Sequence, residues 1–178
     1  METMDKKDII HKIPIFSDFD SVEVEEFDKI SKIKTFSPGE FIFREGEGGE
    51  NFYVILEGNV DIRKRLEGDE DVTLAILGKN DFFGEIEAIK PAPQGRAASA
   101  VAETEVKVLE IPRSGILFCL TDGRGCGWKL LYFFTQVLCE RLRKMDEEYI
   151  KLFMESKGKE KIGELRSFGE KILKEWGF

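Results

Sequence analysis

The sequence predicts a mainly β domain with flanking helices, an antiparallel barrel or sandwich with helical segments at both ends. Three observations carry that reading. From Ile33 to Ile111 the chain breaks into short β-branched and aromatic runs (FIF, FYVIL, VDIRKRL, VTLAIL, AASAVA, VKVLEI), set apart by glycine or charged turns roughly every 8 to 12 residues. Ahead of this zone, Ile9, Ile10, Ile13, Val22, Val24, Phe27 and Ile30 suggest short helices. Beyond Pro112, helical spacing returns in Leu130, Leu131, Phe134, Val137, Leu138 and Leu142, and later in Ile162, Leu165, Ile172 and Trp176.

Taken in chain order, the first helices form a packing arm, with Ser21 ahead of Glu23 and Glu25 as an N-terminal signal. In FREGEGGENFYVILEGNV the glycines Gly46, Gly48, Gly49 and Gly58 lie between strands, where tight turns favour positive φ. A phosphate-cradling loop would need Gly-Lys-Ser/Thr and a following helix, and a strand follows instead. GRGCG, Gly123 to Gly127, reads as a hinge or helix break before Trp128. The last segment, Ser156 to Phe178, reads as an amphipathic helix seeking a partner surface. The expected organisation is an arm over 1–32, a β-barrel over 33–111, helices over 112–155 and a terminal helix over 156–178.

Composition narrows the function. The 178 residues are 42% hydrophobic and 35% charged, with a formal charge of -8, which argues against nonspecific nucleic-acid binding. No run approaches the roughly 20 apolar residues of a membrane span, and METMDKKDIIHK is charged where a signal peptide would be apolar, so a cytoplasmic chain is expected. Cys119, Cys126 and Cys139 form no CxxC pair and are expected as reduced thiols. With His11 the lone histidine, no metal-ligand cluster and no nucleophile motif, the sequence reads as a non-enzyme needing no cofactor.

The stretch with chemistry in it is FGEIEAIKPAPQGRAASA, Phe83 to Ala100. It inserts an irregular detour where a hairpin would have sufficed, and such insertions tend to carry function. GEIEAI can form a short helical turn whose first N–H groups lack intrahelical partners and favour an anion. Pro91 and Pro93 stop it, and Arg96 follows ahead of small residues that leave room for a ligand. Glu85, an acceptor only, suits hydroxyl groups. Phosphate plus sugar hydroxyl matches this set; so does a plain Glu85–Arg96 salt bridge that pins the loop.

FSPGEFIFREGEGGENFYVILEGNVDI followed by FFGEIEAI and RAASA resembles the cyclic nucleotide-binding domain, over roughly Ile10 to Arg143. The resemblance implies an eight-stranded jelly-roll β-barrel with an N-terminal helical bundle and C-terminal hinge helices. It makes 83–100 the phosphate-binding cassette. Glu85 would then bind the ribose 2′-hydroxyl and Arg96 the cyclic phosphate. Backbone N–H groups in the Phe83, Gly84, Glu85, Ile86 and Glu87 stretch complete the anion site, and Ala97, Ala98 and Ser99 lie beside base and phosphate. Ala97, where guanine-selective relatives tend to carry threonine, leans toward cyclic AMP over cyclic GMP. The base would meet the C-terminal helix near Met145 and Asp146, with Tyr132, Trp128, Trp176 and Phe178 as further candidates for a lid.

Three features depart from the family pattern. Glu87 puts a second carboxylate where alanine or glycine is common. The loop between Glu85 and Arg96 is about two residues longer than the commonest spacing, an insertion that costs little. GRGCG replaces the usual approach to the hinge helix. The expected partners are the nucleotide, an unknown effector protein, and a second copy through Leu131, Phe134, Leu138, Leu142 and Met145, a series at steps of three and four. From Ser156 onward six Lys or Arg face four Glu, too slight a balance for a DNA reader, and the remaining length leaves no room for a winged helix. The alternative is a degenerate module that binds no nucleotide and acts as a scaffold or dimerisation domain, with Glu87 in the anion site.

Overall fold

Short β-branched and aromatic runs bounded by glycine and charged turns favour strands through the middle of this chain, since such side chains fit a pleated surface. The computed structural model describes residues 5–66, 70–91, 93–121 and 125–157, the last six by their backbone alone. The strands are β1 (Lys32–Phe36), β2 (Phe41–Phe43), β3 (Phe52–Glu57), β4 (Val60–Arg65), β5 (Asp71–Leu77), β6 (Phe82–Phe83), β7 (Ser99–Ala102) and β8 (Val106–Ile111). They form two antiparallel four-stranded sheets, β1-β8-β3-β6 and β2-β7-β4-β5. Tyr53, Ile55, Val60, Phe83, Ala100, Ala102, Val106 and Val108 fill the space between them. Phe52, Val54, Leu109 and Ile111, on alternate positions, are equally buried, with the Phe52 and Phe82 ring centres 5.4 Å apart.

Eight strands agree with the mainly β expectation, but a closed barrel does not form. Among the described residues no ladder joins the two sheets. Closure needs continuous staggered pairing, and β2 and β6 have three and two residues, with a register irregularity between Phe41 and Phe43. The strands β1 and β6 fall outside the six runs read from sequence, since KIKTF is half lysine-spaced and FF is too short to show a period.

The helices are α1 (Lys6–His11), α2 (Ser21–Ile30), α3 (Glu85–Ile89), α4 (Arg113–Thr121) and α5 (Gly125–Lys157), with a 3₁₀ turn at Pro14–Phe16. Asp20, not Ser21, caps α2: its carboxylate accepts from the Val22 and Glu23 N–H groups, and Glu23 accepts from the Asp20 N–H at 2.8 Å, a capping box. Phe16, Phe19 and Phe27 bring their rings within 5.1 to 5.2 Å of one another and bury the arm's apolar side. Of GRGCG, read as a hinge or helix break, Gly125, Cys126 and Gly127 instead open α5, and Gly123 and Arg124 lie outside the described residues; α4 ends at Thr121. Cys119 and Cys126 are buried and Cys139 is exposed, all three as free thiols.

The chain divides into two compact units, Met1–Leu131 and Tyr132–Phe178. In the second, α5 presents Leu138, Leu142, Met145, Tyr149 and Ile150 as exposed side chains. Among the described residues no helix is long and apolar enough to cross a membrane. The terminal amphipathic helix expected over 156–178 lies, apart from the backbone of its first two residues, outside the described residues.

Candidate functional site

The site begins where β6 ends. Gly84 takes φ +77°, and a Cβ there would lie 2.8 Å from the Asn51 carbonyl oxygen and 3.0 Å from Arg96 Nη1, so only glycine fits. The chain then turns into α3, which buries Glu85 and Glu87 and exposes Ile86. After the proline detour Gly95 also takes φ +77°, with the Gly46 carbonyl oxygen 2.5 Å from where a Cβ would stand. That close approach lets the Arg96 N–H donate to the Glu47 carbonyl at 2.9 Å while the Gly46 N–H donates to the Arg96 carbonyl at 2.9 Å. Arg96 is thus held by its backbone to the β2–β3 connection.

Its side chain is 2% exposed. Nη1 donates to Glu87 Oε2 at 3.1 Å and to the Gly84 carbonyl at 3.3 Å, and Nη2 donates to the Asn51 carbonyl at 2.9 Å. The guanidinium carbon sits 4.2 Å from the centre of the Phe43 ring, a cation–π contact, above the stacked Tyr53–Phe83 pair. Among the described residues, buried Nε has no hydrogen-bond partner. The other Glu87 oxygen, Oε1, accepts from the Ala97 N–H at 3.0 Å. One carboxylate therefore takes both a guanidinium and the next backbone N–H. Burying two charges is costly, and close pairing with added hydrogen bonds offsets that cost.

A second polar group flanks the first. Ser99 Oγ accepts from the Glu45 N–H at 2.9 Å; Glu45 in turn pairs with Lys64 Nζ at 2.6 Å and accepts from the Arg65 N–H at 3.0 Å. The Lys64 ammonium, followed by the Arg65 N–H, holds the Glu45 carboxyl below its ordinary value. Lys64 also donates to the Ala97 carbonyl at 2.6 Å, tying this group to the segment after Arg96. Beside the Glu45 group opens a cavity of about 350 Å³ lined by Phe41, Arg44, Glu45, Arg65, Asp71 and Ser99. That volume lies near the lower bound, roughly 300 Å³, of small-molecule sites.

Of the residues expected from sequence, Gly84, Glu87, Arg96 and Ala97 meet in one cluster, and Ser99 lines the adjoining cavity. Phe83 is buried beneath it, and Glu85 is buried at the first turn of α3. Ala97 is exposed and Ala98 half-buried. Met145 and Asp146 are exposed on α5 in the second unit. Trp128 and Tyr132 are exposed, while Trp176 and Phe178 fall outside the described residues. The salt bridge weighed from sequence was Glu85–Arg96; the ion pair described for Arg96 is instead with Glu87. Sequence reasoning missed Asn51, Phe43 and Gly49. Asn51 acts through its carbonyl, which any residue supplies, and Phe43 was hidden in a strand run. Gly49 was read as a turn, yet a Cβ there would stand 3.2 Å from Arg96 Nη2, so it makes room for the guanidinium.

Residues 33–122 match the family described as the cyclic nucleotide-binding domain, and the chain belongs to that family. A CRP-like cAMP-activated global transcriptional regulator of Mycobacterium tuberculosis is 30% identical over 137 residues, covering 77% of this chain; the chain spans 58% of that relative's length. The catabolite activator protein of Thermus thermophilus aligns with TM-score 0.66 and 27% identity, over 80% of this chain and 64% of that one. The regulatory subunit of a cAMP-independent protein kinase A from Trypanosoma brucei aligns with TM-score 0.61 and 30% identity, over 72% of this chain and 45% of that one. A triple mutant of that subunit is described bound to cAMP in its A site, with TM-score 0.54 and 27% identity, over 73% of this chain and 49% of that one.

Proposed function

We propose that this chain is a non-enzymatic cyclic-nucleotide sensor, with cyclic AMP preferred over cyclic GMP. The observation that carries the reading is Arg96: a buried guanidinium, fixed by its backbone, stacked on Phe43 and retaining an unpaired Nε–H. A cyclic phosphate fits the donors that Arg96 and the Ala97 N–H present, with Glu85 accepting from the ribose 2′-hydroxyl and the remainder of the ligand lying toward the cavity beside Ser99. Ala97 offers no hydroxyl to a guanine. Met145 and Asp146 are the base contacts of this reading.

The strand order suits a jelly roll, and the helices before and after it take the roles of helical bundle and hinge. Ligand binding acts by population shift: a nucleotide with unequal affinity for two arrangements of the C-terminal helices moves them for an effector protein or a second copy of the chain. The module works in the cytoplasm without contacting nucleic acid or membrane. Calorimetric titration with cyclic AMP and cyclic GMP, beside Arg96→Ala, tests the core of this. Binding abolished by the substitution supports it; no binding by the unaltered protein in two independent assays ends it.

The Glu87–Arg96 pair favours a second reading, a scaffold whose anion site is filled by its own carboxylate. The similarity to a kinase subunit described as cAMP-independent agrees with it.

A further inference from the structure

We infer that Glu87 is a specificity-determining residue that competes with the ligand from within: its carboxylate occupies the anion subsite, and a cyclic phosphate binds only by exchanging with it. This rests on the cyclic-nucleotide reading. The two Glu87 oxygens lie 3.1 Å from Arg96 Nη1 and 3.0 Å from the Ala97 nitrogen, so a single carboxylate spans a charged donor and the adjacent backbone donor, as two phosphate oxygens would. With Glu87 4% exposed and Arg96 2% exposed, water screens this pair weakly. The remaining Arg96 donors do not offer an equal alternative, because Nη2 already donates to the Asn51 carbonyl and neither its second N–H nor Nε–H lies beside the Ala97 N–H as the pair held by Glu87 does.

Among the described residues Arg96 is the cation paired with Glu87, while Arg44 and Arg65 line the adjoining cavity instead. Lys64 approaches the Ala97 carbonyl but is already paired with Glu45, and buried Glu85 lies two residues from Glu87 on α3. A phosphate entering beside Glu87 would thus put two anions on one guanidinium, and like charges that close repel strongly in a dry site. The carboxylate has to swing away first. Affinity is then the difference between phosphate and carboxylate for the same donors, which sets a high ligand threshold in the unaltered protein.

The test is calorimetric titration of the full chain with cyclic AMP for the unaltered protein, Glu87→Gln, Glu87→Ala, and each of these combined with Arg96→Ala, with thermal melts to verify folding. The glutamine variant keeps an acceptor for the Ala97 N–H and loses only the charge, so it answers if leaving Arg96 unpaired unfolds the alanine variant. The expected result is about 10- to 100-fold tighter binding in both Glu87 variants, the scale of relieving one like-charge clash, and its loss when Arg96 is also removed. Equal or weaker binding in the folded Glu87 variants overturns the inference while leaving the cyclic-nucleotide reading in place. No binding by any folded variant overturns both.

Discussion

The first unit contains two ion pairs that look alike on paper and do different work. Lys129 Nζ lies 2.7 Å from Glu23 Oε2, and Arg96 Nη1 lies 3.1 Å from Glu87 Oε2. The Lys129 side chain is 33% exposed, and its carboxylate is the one that already closes the α2 capping box, so the start of α5 is fastened to a helix end. Arg96 and Glu87 are both nearly dry, and Arg96 keeps a donor without a partner. A half-wet pair that finishes a cap is structural cement. A dry pair with donors to spare, on an irregular insertion beside a cavity, has the makings of a binding site.

The largest expected effect breaks the dry pair. Arg96→Ala should remove about 2 to 5 kcal/mol of nucleotide affinity, the range for truncating one side of a buried charge pair, read by titration. The same substitution strands Glu87, so the melting temperature should fall as well. Unchanged affinity would take Arg96 out of the ligand site.

Next comes the backbone that aims it. Gly95→Ala forces a Cβ against the Gly46 carbonyl and should cost about 1 to 3 kcal/mol of stability, measured by denaturant unfolding, together with a loss of affinity. Gly39, at φ +81° with nothing within 4 Å of a would-be Cβ, is the control: Gly39→Ala should cost less and leave binding alone.

The wet pair should matter less again. Lys129→Met is expected to cost no more than about 1 kcal/mol, with a difference that shrinks at high salt, and nucleotide affinity should not change. A loss as large as that of Arg96→Ala would erase the contrast between the two pairs. The smallest effect belongs to the cap. The Glu23 N–H foremost, helped by the Val22 N–H, holds the Asp20 carboxyl below its ordinary value. Its folded value being depressed, the stabilisation is present above the unfolded value, near pH 4, and fades as pH falls through the folded one. Asp20→Asn, which retains an acceptor, should flatten that part of the acid unfolding profile with little change at neutral pH.

Much of this protein follows from local pattern. The six β-rich runs, the helical spacing at both ends and the succession of FGE and RAAS are written in residue types and short intervals, which backbone sterics and strand or helix propensity convert directly into structure. Glu87 could be noticed as an odd carboxylate, but its direction could not, because eight residues with a proline-bent detour separate it from Arg96. Only the folded detour, pinned by Gly95 against the β2–β3 connection, turns the two toward each other. The same holds for the Asn51 carbonyl, the Phe43 ring and the division into two sheets. Each depends on which distant segment arrives opposite, and that is settled by packing across the whole core, since a single residue type carries no information about what will be placed over it.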